Sequence, residues 1–435
     1  MSAQPSPHSA VQPAPTGDRL HGVDVARALA VFGMFTVHLG IGSLGLLGLW
    51  NIQFDTASLG QLGETDPAEV FHQLTRGRSS ALFAFLAGLS LALISGRAIP
   101  QQGGELRRTR GRMLTRAMLL VLLGIAVELL GTPVAIILVY YGVFFVLALP
   151  LLGLRSPALA GVAAATALLG PQLSYAIRVV APIDPEATAM HQIGLPGPTD
   201  LLLTGSYPAV SFMTFVVAGM AVGRLNLRSG RVRLALATLG GGLALLGYGG
   251  SWLALYPTGA VDRLAAVELA QHGGPDGAAG DLPDDPATRA ELREWVATEA
   301  INSLHGEVPT DSPLWLLVAS PHSGTTGEVL GATGTAMLVL TACLLLADWL
   351  GRALYPLAAV GAMALTVYVG HLLVIAAIGA SPWESAPFRL ELFVLGALLL
   401  ATLWRLTLGK GPLERVLAGA TEHRTPGTTV QDQLR

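Results

Sequence analysis

Three residues along one apolar stretch, Asp24, Arg27 and His38, carry the strongest chemical potential in this chain. Asp24 and Arg27 are three positions apart, so on a helix they share a face and can pair. His38 follows Arg27 by eleven positions, roughly three helical turns, which puts both on one face and about 16 Å apart along the axis. The stretch runs on to about Trp50, long enough to cross a bilayer. A neutral imidazole in such a setting can take a proton from an alcohol or amine, or act as a nucleophile itself. Ionisable groups inside a membrane are costly, so a functional role is the first reading. The alternative is a histidine bonded to a neighbouring helix.

Other residues extend this picture. Arg107, Arg108, Arg110 and Arg112 form a basic cluster, with Arg116 one turn later and inside the next apolar stretch. The forked guanidinium suits phosphate, so the cluster is a candidate donor-binding site; a topology signal or a contact with anionic lipid is the plainer reading. His371, in Tyr368-Val369-Gly370-His371, is a second intramembrane histidine and makes a shared polar cavity more plausible. Helix–helix hydrogen bonding is its alternative. Glu128, His72 and His322 lie near the opposite ends of their stretches and are candidates for an acceptor entrance. At His322-Ser323 the neighbouring serine makes no hydrolase dyad, because no Gly-x-Ser-x-Gly elbow is present; a capped turn opening a helix is the plain reading. The ten histidines are scattered without a His-x-x-x-His pair, so no metal site is expected.

The elements that hold these residues are hydrophobic helices. Half the chain is apolar and only 13% is charged, the composition of an integral membrane protein. Cys343 is the only cysteine, which excludes disulfides and cysteine metal clusters. Basic residues sit in short loops, and nothing suggests nucleic-acid binding. We read ten spans, at about 25–50, 79–96, 112–130, 133–152, 156–178, 206–223, 232–256, 327–349, 354–378 and 387–408, with Pro171 interrupting the fifth. The arginine-rich loops all fall on one side of a ten-span chain, which the positive-inside rule makes cytoplasmic together with both termini. Segment 1–18 reads as a disordered tail, 19–256 as seven spans, 257–326 as an acidic extracytoplasmic cap, 327–410 as three spans and 411–435 as a second tail. The cap carries eleven carboxylates against three arginines. It has helical character over 287–304 and is too short for an independent domain.

The Asp24…Arg27…His38 pattern resembles the first transmembrane helix of the membrane acyltransferase superfamily. That group includes the acyltransferase-three family, the heparan-α-glucosaminide N-acetyltransferases and the bacterial YeiB-like proteins. Ser79 to Gly88 is similar to the second-helix motif of these families, and Arg107 to Arg116 to their arginine-rich approach to helix three. Val360 to Tyr368 is similar to the YeiB-like C-terminal region, and Tyr368 with His371 to a Tyr-x-x-His element of acyltransferase-three proteins. The heparan-type enzymes use a histidine in the first extracytoplasmic loop; the stretch around Leu49 and Trp50 has none. His38 stands where those enzymes usually carry asparagine.

The resemblance implies an all-α integral membrane acyltransferase of about ten helices in the bacterial cytoplasmic membrane. It would move an acetyl or other acyl group from acyl-CoA to a hydroxyl or amine of a glycan, cell-envelope or lipid-linked acceptor. On that analogy His38 is base or acyl carrier, Arg27 contacts donor phosphates or holds the site together, Asp24 fixes Arg27, and Tyr368 and His371 support the site or the acceptor. A transporter of a small anionic or lipid-like solute, using the same groups as contacts or proton relay, stays open beside it, as does a scaffold without catalysis.

Overall fold

The computed structural model describes residues 20–39, 77–132, 134–181, 195–272, 285–301, 304, 306–378 and 388–422. These are helical, with no strand among them. In chain order the first helices are α1 (His21–Leu39), α2 (Arg78–Ile94), α3 (Gly103–Glu128), α4 (Leu138–Ala148) and α5 (Ser156–Val180). The chain continues through α6 (Ala209–Gly223) and α7 (Gly230–Leu255). After the cap helices α8 (Ala260–His272) and α9 (Pro286–Trp295) come α10 (Thr326–Leu350), α11 (Tyr355–Ala362), α12 (Ala364–Ile378), α13 (Arg389–Thr407) and the short α14 (Pro412–Glu422).

Every stretch read as a span holds a described helix. By length and composition, five can cross a membrane: α1, α5, α7, α10 running on through α11, and α13. α2, α4, α6 and α12 are shorter apolar helices. α3 begins at Gly103 rather than near 112, so the arginine cluster lies on the helix and not in a loop. Arginine is a good helix former, and Glu105 in the first turn complements the helix dipole.

Pro171 does not interrupt the fifth span, and α5 is continuous through it. Proline has no N–H, which strips the Ala167 carbonyl of its helical donor. The Thr326 hydroxyl, from the start of α10, donates to that carbonyl at 3.0 Å and replaces the missing bond. Conversely, the stretch 354–378 is broken at Met363 into α11 and α12. The Glu414 carboxylate of α14 accepts from the Leu365 and Thr366 N–H groups at 3.0 and 3.1 Å, satisfying the donors that the break releases.

Small residues set the packing at the bundle's centre. α2 lies so close to α6 that a Cβ at Gly88 would run into the Val216 carbonyl, and one at Gly219 into the Phe85 carbonyl; close approach through small residues is a common route to helix association in membranes. Arg224, at the end of α6, is buried and donates to the Ala92, Arg97 and Leu152 carbonyls and the Ser95 hydroxyl at 2.6–3.0 Å. Those groups lie at the ends of α2 and of the turn after α4, so one guanidinium gathers three helix ends. Arg110 reaches the Leu149 carbonyl at 3.0 Å, and Arg233 pairs with Asp348 at the far end of α10. The arginine-rich ends therefore meet at one end of the bundle.

The cap has a core of its own. Trp315 is fully buried among Val261, Leu264, Leu292 and Val296, and its indole donates to Asp311 at 2.8 Å. Helix α8 was not expected from the sequence. Its apolar positions alternate with charges, and Trp315, which covers them, lies some fifty residues on. The cap is fastened to α5 by Arg178, which donates to the Val308 carbonyl at 2.7 Å and pairs with Glu307 at 3.3 Å. Burial lifts the Glu307 carboxyl above its ordinary range, with Arg178 opposing the rise.

Candidate active site

The first turns of α1 hold the pair expected from spacing. Arg27 Nη1 donates to Asp24 Oδ1 at 2.7 Å, and Asp24 is buried. Arg27 Nη2 donates to the Ser90 hydroxyl, also at 2.7 Å, while Ser90 donates onward to the Leu86 carbonyl at 2.6 Å. Gly361 of α11 lets this turn sit tight against its neighbour, since a Cβ there would strike the Asp24 carbonyl. Arg27 is thus held from two helices, with its fork aimed into a cavity of about 300 Å³.

That cavity is bounded by Arg27, Ser90, Arg116 and Glu414 toward the arginine-rich end and by Phe83, Leu138 and Tyr141 at its inner end. From Ile94 to Phe83 it follows α2 for eleven residues, about 16 Å of helix. Its walls between these ends are apolar: Leu86, Leu91, Met113 and Leu120. Arg116 makes no hydrogen bond or close ion pair with any described residue; its charged neighbours are Arg27 and Glu414. Two guanidiniums facing one cavity, one of them uncommitted, suit an anionic ligand.

The helices α1 and α12 bring His38 and His371 together. His38 Nδ1 and His371 Nε2 are 2.9 Å apart, and the rings are near-parallel with centroids 5.2 Å apart. His371 is buried and His38 half-buried. Tyr368 packs edge-on against both rings, at 5.2 Å from His371 and 6.4 Å from His38. The Tyr368 hydroxyl accepts from the Ile137 N–H at 3.4 Å. A pair sharing one hydrogen bond can pass a proton from one imidazole to the other.

At the opposite end from the arginines, Tyr207 packs against His322 at 5.7 Å and Tyr140 at 5.4 Å. Glu128, closing α3, is an electrostatic neighbour of Tyr140, Tyr207 and Tyr368. His322 is held by its backbone: its N–H and that of Gly324 each donate to the Glu328 carboxylate at 2.6 Å. Thr325 caps α10 by accepting from the Glu328 N–H at 3.2 Å. The capped turn is therefore as expected, and His322 is its lip, facing Tyr207.

The basic cluster divides. Arg116 alone lines the cavity, whereas Arg107 and Arg108 are exposed, Arg112 donates to Thr109 at 3.0 Å and Arg110 serves the turn after α4. His72 lies outside the described residues. The sequence reading did not single out Ser90, Tyr140, Tyr141, Tyr207, Glu328 or Glu414. Only Glu328 left a signal, in the Thr-x-x-Glu capping pattern. No group of histidine, cysteine or carboxylate residues among the described ones is arranged to hold a metal.

The sequence profile of the heparan-α-glucosaminide N-acetyltransferase catalytic region matches residues 19–256, more than half of the chain. The chain belongs to this family. No curated protein matches it. The family match, with the apolar helices, makes this a membrane acyltransferase, N-acetyltransferase-like in its catalytic region. The matched region spans α1 to α7 and contains Asp24, Arg27, His38, Ser90, Arg116, Glu128 and Tyr141. His322, Tyr368, His371 and Glu414 come from the remainder, so the assembled site draws on both parts.

Proposed function

We propose that this protein transfers an acyl group, acetyl by the family's name, from acyl-CoA bound at the arginine-rich end to a hydroxyl or amine reaching the histidines from the other end. The observation that carries this reading is that the two helices that bring His38 and His371 together also line the cavity, through Arg27 and Leu365. Arg27 and Arg116 would hold donor phosphate, and the apolar channel along α2 suits the linear arm that ends in the thioester. In the tautomer where His38 Nδ1–H donates to His371 Nε2, His38 Nε2 is left to take the acceptor's proton, and His371 shares the charge that results.

The acceptor is a glycan, cell-envelope or lipid-linked molecule entering past His322, Tyr207 and Glu128. The positive-inside rule makes the arginine end cytoplasmic. The protein then lies in the bacterial cytoplasmic membrane as ten spans with both termini inside, in contact with anionic lipid through Arg107 and Arg108. One observation favours transport instead: the helix broken at Met363, a feature of transporter binding sites. Reconstitution separates the two. Liposomes given acetyl-CoA labelled in its acetyl group should release CoA and label an added envelope extract, and His38→Ala should abolish both. Solute flux that needs no CoA would support the transporter.

A further inference from the structure

One buried polar group plays no part in the account above. Tyr141, on α4, is only 3% exposed, and its hydroxyl has no hydrogen-bond partner among the described residues. An unsatisfied buried hydroxyl is costly and calls for an explanation. The ring is clamped by Phe83 at 5.4 Å and Phe144 at 5.6 Å, which leaves it little freedom to turn toward water. Tyr141 also lines the inner end of the cavity, and Tyr368, which packs on both histidines, is its electrostatic neighbour. Tyr141 therefore links the far end of the donor channel, which it lines, to the tyrosine packed on the two histidines.

We propose that Tyr141 is a catalytic residue whose O–H donates a hydrogen bond to the donor's thioester carbonyl oxygen; this rests on the acyltransferase reading. When the acceptor's oxygen or nitrogen attacks the carbonyl carbon, the C=O π pair moves onto oxygen, and Tyr141 stabilises that charge without giving up its proton. His38 takes the acceptor's proton. Collapse restores the carbonyl, breaks the C–S bond and releases CoA thiolate, and the proton held by His38 passes through water to the sulfur, which returns His38 to its neutral form. A donor held in place before reaction needs no reorganisation, and losing one such donor costs about 10²–10³ in rate.

Tyr141→Phe keeps the ring and removes only the donor. In liposomes with labelled acetyl-CoA and envelope extract, the variant should lower kcat by about a hundredfold or more while KM for acetyl-CoA stays within about threefold. Binding of S-ethyl-CoA, which lacks the carbonyl, should be unchanged and reports an intact fold. An unchanged kcat, or a loss confined to KM, overturns the proposal. A second readout needs no turnover. On His38→Ala protein, ¹³C-edited infrared of bound acetyl-CoA should show the carbonyl stretch rising when Tyr141→Phe is added, and no movement overturns the proposal. Failure of the wild type to release CoA at all would sink the acyltransferase reading instead, and is distinguished by that control.

Discussion

Arg27 and Arg116 face the same cavity but are bound into the protein differently, so removing each should have opposite consequences. Arg116 has no hydrogen-bonded partner among the described residues, and Arg116→Gln strands no buried charge. Its loss should fall on the ligand. A hydrogen bond to a charged group contributes about 1.5–3 kcal/mol, equivalent to an increase of about 10–150-fold in Kd for acetyl-CoA. Stability should barely change. Arg27→Ala instead takes the guanidinium from a buried Asp24 carboxylate; breaking a buried pair costs about 3–5 kcal/mol, and Arg27's partial exposure places this case near the lower end. The assay is thermal unfolding in detergent beside acetyl-CoA titration at two salt concentrations. Arg116→Gln should also flatten the salt dependence of binding, because one screened charge is gone. Donor binding within about twofold of wild type, or destabilisation matching Arg27→Ala, would refute the assignment of Arg116 to the donor.

Two further outcomes test the scaffold. Arg224→Met leaves the buried carbonyls at the end of α2 and in the turn after α4 without their donor, and should lower stability by about 3–5 kcal/mol, read as a large fall in melting temperature. Glu414→Ala uncovers the N–H groups at the start of α12, whereas Glu414→Gln keeps an acceptor there. The alanine variant should lose turnover through misplacement of His371 and the glutamine variant should retain most of it, with CoA release as the measure.

What could be read from the chain alone follows a physical rule. Asp24 and Arg27 were legible because three-residue spacing on a helix makes a contact by itself, and His38 and His371 because polar groups are rare in such apolar stretches. Arg116 stood apart from its cluster because it lies a turn deeper. Pro171 was misread because its remedy, the Thr326 hydroxyl, is 159 positions from the carbonyl it serves. Tyr141 and Glu414 gave no signal for the same reason: a tyrosine in an apolar helix is ordinary, and only the fold shows that one hydroxyl is buried without a partner. Nor did the break at Met363, where no proline marks the spot and a carboxylate from α14 makes it tolerable.

The most direct test of the account is single-turnover transfer of labelled acetyl by wild type and His38→Ala in liposomes, with donor binding measured on both. The account predicts that wild type labels the acceptor and releases CoA, while the variant binds acetyl-CoA as tightly but turns over at least a hundredfold more slowly. Equal turnover by the two would contradict it.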